Sequence, residues 1–180
     1  HPMRGFKNQY NLVAVSLHWI MAISIFMLFF VGSQILQHMP NSNPEKISSL
    51  RGHAILGSVM GALLVLRYLN IKFSGKPSQT ITNGKLKDAL AKWTHSLLYL
   101  LLAAVVGTGI AMAVEADFLK LFAGTIAMPE SFDHLSTRQA HGIFTKMLAV
   151  VICIHILAAL HHQFILKDNL FRHMRFKRFR

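Results

Sequence analysis

The run HGIFTKMLAVVICIH, residues 141–155, decides the reading of this chain. Its two histidines, His141 and His155, stand fourteen residues apart on one long apolar stretch. At 3.6 residues per turn that is nearly four turns, so both imidazoles leave the same helix face. At 1.5 Å per residue they lie roughly 21 Å apart along the axis. Histidine is costly inside a bilayer and needs a reason to be there. Two rings so placed suit two haems stacked in two layers of a membrane helix bundle, one haem for each.

The composition agrees. Of 180 residues, 53% are hydrophobic and only 14% are charged, with mean hydropathy +0.41. A soluble domain carries about 25% charged residues. The fold class expected is all-α: an integral membrane four-helix bundle binding two haems b, in one transmembrane domain over residues 1–180. The spans fall at about 10–38, 47–70, 88–115 and 136–167. Only fifteen residues separate Arg51 from Arg67 in the second span, so one arginine must snorkel or find a buried partner. Pro40, Pro44, Pro77 and Pro129 fall in the connections. The single cysteine, Cys153, excludes an internal disulfide and a cysteine-ligated cluster, and reads as a small packing residue. The opening HPM, ahead of Met3, looks like a leftover of expression. The first apolar run is too long for a signal peptide.

Charge gives the direction. Arg4 and Lys7 precede the first span. Arg67, Lys72, Lys76, Lys85, Lys87 and Lys92 follow the second. Lys167, Arg172, Arg175, Lys177, Arg178 and Arg180 follow the fourth. The opposite side has Lys46, Arg51, Lys120 and Arg138 beside five carboxylates. The positive-inside rule then puts both termini in the cytoplasm of a multi-pass protein of the bacterial inner membrane. The net charge of +12 is a topology signal; no nucleic-acid motif is present, and the basic tail is expected on anionic lipid.

This orientation gives each histidine a depth. His53 and His141 form an outer pair. His18, His95 and His155 form an inner trio. A low-spin haem b takes two trans imidazoles, so each layer supplies enough ligands. Gly32 lies fourteen residues after His18 and Gly109 fourteen after His95, each on the same face at the outer level. A glycine there lets a flat macrocycle approach the backbone, although close helix packing explains a small residue equally well. Arg67, fourteen after His53, brings a cation to the inner layer for a propionate. Other metal ions are disfavoured, because no carboxylate shares these helix faces.

These residues resemble the bacterial cytochrome b561 family, related to the di-haem subunits of formate dehydrogenases and nickel–iron hydrogenases. The matching segments are SLHW around His18, RGHAILG around His53, THSLLYLLL around His95, RQAHG around His141 and IHILAALHHQFILKDNLFRHM from Ile154. The compact length looks like the stand-alone, quinone-linked members. The resemblance implies ligation of one haem by His18 with His155 and of the other by His53 with His141. His95 is left unassigned: it is the substitute inner ligand, or a neighbour of a propionate or the quinone.

The resemblance also implies an activity, superoxide oxidase: periplasmic superoxide is oxidised and ubiquinone is reduced. The alternative is an electron-transfer subunit linking a periplasmic dehydrogenase or hydrogenase to the quinone pool. A protein partner is possible but not required in the first case. Arg51 and Arg138 precede the outer ligands by two and three residues, where they would attract an anion, anchor at the interface or pair with propionates. Quinone reduction needs groups that deliver protons. His161 and His162 follow the inner ligand, with Asp168 beyond, and His162 returns to nearly the face of His155. Trp19 and Trp93 lie at the same interface, as belt residues or quinone walls.

Overall fold

The computed structural model describes residues 12–74 and 84–166. Arg4, Lys7, Lys76, Pro77 and the whole run from Lys167, Asp168 and the basic tail included, lie outside the described residues.

The fold is all-helical. Helix α1, Leu12–Phe30, widens into a π-helical stretch, Val31–Leu36. Helix α2 is Lys46–Ser74 and α3 is Lys85–Glu115. A short α4, Phe118–Phe122, precedes α5, Ser136–His161, which widens in turn over His162–Leu166. Four segments are long and apolar enough to cross a membrane: Leu12–Leu36, Lys46–Phe73, Lys85–Glu115 and Ser136–Ile165. Helix α2 does not stop at its arginines. It continues past Arg51 on one side and past Arg67 on the other, so its apolar middle is shorter than the helix.

α3 packs most extensively on α5, α1 on α2, and α2 on α3. At one close approach of α2 and α3, a Cβ on Gly61 would stand 3.0 Å from a methyl of Val106. The central core is Met21, Met60, Leu101, Leu102 and Leu148, one or two from each long helix. It separates the two histidine layers. The outward faces carry Phe26, Ile55, Leu100, Ile110, Val150 and Leu157, all exposed. Such all-round hydrophobicity suits helices solvated by lipid tails. Cys153 belongs to this outward set; the sequence reading as a packing residue is corrected, because its position on α5 leaves it exposed.

A second core closes the outer end: Leu50, Met112, Phe118, Leu121 and Phe132. The chain turns there through Asp117, at φ 53°, and Gly124, at φ 76°. Asn41 donates to the carbonyl of Pro129 at 2.9 Å, joining the α1–α2 connection to the α4–α5 connection. Arg51 is part of this cap. It donates to the carbonyl of Phe122 at 3.3 Å and lies 5.5 Å from that residue's ring centroid.

Candidate haem site

The outer pair comes together. The rings of His53, on α2, and His141, on α5, have centroids 6.3 Å apart at 89°. His141 is oriented by α3: its Nδ1–H donates to the carbonyl of Val105 at 2.9 Å, with Thr108 Oγ1 at 3.2 Å. A metal-ligating histidine commonly gives its second ring nitrogen to a carbonyl, which fixes the tautomer and frees Nε2. The Nδ1 of His53 is buried with no hydrogen-bond partner among the described residues. Leaving such a nitrogen unsatisfied costs about 1–3 kcal/mol.

The two glycines picked out by spacing face these rings. A Cβ on Gly32 would meet His53 Cε1 at 3.4 Å, and one on Gly109 would meet His141 Cε1 at 3.2 Å. The space they leave is therefore used by imidazole edges from the neighbouring helices. Arg138 folds back over Gly142, its guanidinium 3.0 Å from where a Cβ would stand. From there it is within electrostatic range of His53, His141 and Lys46.

The inner trio is arranged differently. His95 and His155 have ring centroids 5.4 Å apart at 65°. His18 packs edge-on against Trp19, 5.0 Å away, and is within electrostatic range of both His155 and His95. Arg67 ties this layer together. Its Nε donates to Tyr99 Oη at 2.6 Å and a terminal nitrogen donates to the carbonyl of Ala14 at 3.0 Å. Ala14 is one turn before His18, and Tyr99 is one turn after His95. One side chain from α2 thus grips the turns that carry the inner histidines of α1 and α3. The arginine in question at the second span has its partners inside the bundle, and these two bonds leave its other terminal nitrogen without a hydrogen-bond partner among the described residues.

These residues fit haem b. Two imidazoles on one iron, each about 2 Å from it, have ring centres about 6 Å apart, as His53 and His141 do. His95 and His155 are closer than that. Among the described residues no group of three or more His, Cys, Asp and Glu side chains converges as a metal-ion cage, while a haem iron asks the protein for only two ligands. At the far end of α5, His161 is exposed and His162 half-buried, their centroids 6.3 Å apart.

Several contributors escaped the sequence reading. Thr108 and Tyr99 were visible only as polar residues inside apolar runs. Lys46 counted merely as an outer cation, yet it is buried and caps the end of α1, its Nζ donating to the carbonyls of Leu36 at 2.5 Å and Met39 at 2.7 Å. Gln163 carries a buried Oε1 with no partner among the described residues.

A family model described as prokaryotic cytochrome b561 matches residues 9–177. The chain is 30% identical over 169 residues to a protein of Yersinia pestis named a probable superoxide oxidase CybB. That alignment covers 89% of this chain and 92% of the relative.

Proposed function

Because the chain belongs to the prokaryotic cytochrome b561 family, a family of membrane electron-transfer proteins that bind haem b, we propose that it is a di-haem superoxide:ubiquinone oxidoreductase. In balance, two superoxide ions lose one electron each to become dioxygen, and one ubiquinone gains two electrons and two protons. Haem b, when bound, supplies the one-electron carriers.

The protein's own part is to hold, orient and seal. His53 and His141 hold the outer haem, and His18 and His155 the inner one, with His95 beside His155. Val105 and Thr108 set the ring of His141. Arg67 holds the inner turns and offers its remaining nitrogen to a propionate. Gly32 and Gly109 leave the room beside the backbone that the outer rings occupy. Arg138, with Arg51 at the rim of the cap, gives the outer end its local positive charge. His162, with His161 and Trp19, serves the quinone, His162 as the proton donor. The protein sits in the bacterial inner membrane with both termini in the cytoplasm, in contact with lipid and with no nucleic acid.

The observation that carries this reading is the outer pair. Its spacing suits one shared iron, and His141 is already oriented by a carbonyl from α3. The name of the Yersinia pestis relative supports the choice of superoxide. Stopped-flow mixing tests it: superoxide should reduce the haems faster than it dismutates, and added ubiquinone should reoxidise them. His162→Ala should leave the first phase intact and slow the second. If superoxide fails to reduce wild-type haem, the electron donor is another molecule, and a docked dehydrogenase becomes the better reading. A C-terminal reporter active only in the periplasm would contradict the orientation.

A further inference from the structure

We infer that Gln163 is a contact residue for the quinone head group, binding its oxygen through the side-chain amide; this rests on the ubiquinone reading above. Gln163 follows His162 where α5 widens into its π-helical end. Its neighbours Phe164 and Ile165 are 67% and 69% exposed on the outward side. Gln163 itself is half-buried, and its Oε1 is wholly buried without a hydrogen-bond partner among the described residues.

An unmet amide oxygen inside a bundle is expensive, and single wide turns in helices gather at functional sites. What the oxygen lacks is a donor, and the apolar setting disfavours a charged one. The exposed apolar side chains beside it indicate a ligand that arrives through lipid. A quinol answers all three requirements, because its head group presents hydroxyl donors on a lipid-soluble ring. Turning the amide over presents Nε2–H in place of Oε1, so the same side chain also serves the carbonyl of the oxidised head group. Its neighbour His162 differs in kind, since an imidazole can pass a proton and an amide cannot.

The test is equilibrium dialysis of the haem-loaded protein against short-chain ubiquinol and ubiquinone, comparing wild type with Gln163→Leu, which keeps the bulk and removes the polar atoms. Loss of one hydrogen bond should raise Kd about five- to tenfold, with haem content, haem spectrum and the rate of reduction by superoxide unchanged. Gln163→Met repeats the measurement if the leucine variant does not fold. An unchanged Kd overturns the inference, and so does loss of haem from the folded variant, which would place Gln163 at the haem. If wild-type protein binds neither ubiquinol nor ubiquinone, it is the quinone reading that fails.

Discussion

The two ends of the bundle solve the same problem in opposite ways. At the outer end, each histidine ring is packed against a glycine, one is bonded to a carbonyl of α3, and a hydrophobic cap covers the layer. At the inner end there is no comparable cap among the described residues. His95 and His161 are exposed, and order comes from one arginine bonded across three helices. A capped end suits a small reactant such as the proposed superoxide. An open end bordered by lipid-facing side chains suits the ring and long tail of the proposed quinone. The difference between the layers thus follows the difference in size between the two proposed reactants.

The largest effects should come from the histidines themselves. His53→Ala and His141→Ala should each remove the same haem, and His18→Ala and His155→Ala should each remove the other, as read from resolved low-temperature absorption bands. If His95→Ala abolishes the inner haem and His18→Ala spares it, the inner pairing is His95 with His155.

Arg67→Leu should come next. It deletes two hydrogen bonds from a charged donor, each worth about 1.5–3 kcal/mol, and frees the turns of α1 and α3 from each other. The inner haem should be lost or shifted while the outer spectrum stays. Arg67→Lys should rescue little, because an ammonium cannot fork between Tyr99 and Ala14 as a guanidinium does. An equal effect on both haems would erase the contrast between the layers.

Lys46→Met should loosen only the outer end. Leu36 and Met39 would lose a charge-assisted donor, and thermal stability should fall by about 2 kcal/mol, with inner-layer spectra unchanged. The smallest effect should be kinetic. Arg138→Glu should slow reduction by superoxide at low salt, and the defect should shrink as salt screens the field. Arg51→Glu should show a milder version together with some loss of stability, since that guanidinium also holds Phe122.

The layering itself could be read from residue spacing, because a helix repeats its face at fourteen residues whatever it packs against. The shared face of His141 and His155 and the glycines Gly32 and Gly109 follow from that rule alone, whereas His53 joins His141 only through the depth that the charge-based orientation assigns. Rotation of one helix against its neighbour does not. Which carbonyl receives the Nδ1–H of His141, and which oxygen receives Arg67, depend on how α3 is turned, and no spacing within α5 or α2 encodes it. Lys46 misled for a related reason: a lysine at a helix start reads as solvated, and only the end of α1 beside it supplies carbonyls that make burial tolerable. The family resemblance added the pairing of His18 with His155, which the ring positions in the inner layer do not dictate.

Two histidine layers, each holding one haem b, are the core of this account, and a pyridine haemochrome assay on purified protein of known concentration tests them most directly. Two haems b per polypeptide is the predicted result. One haem, or none, would contradict it.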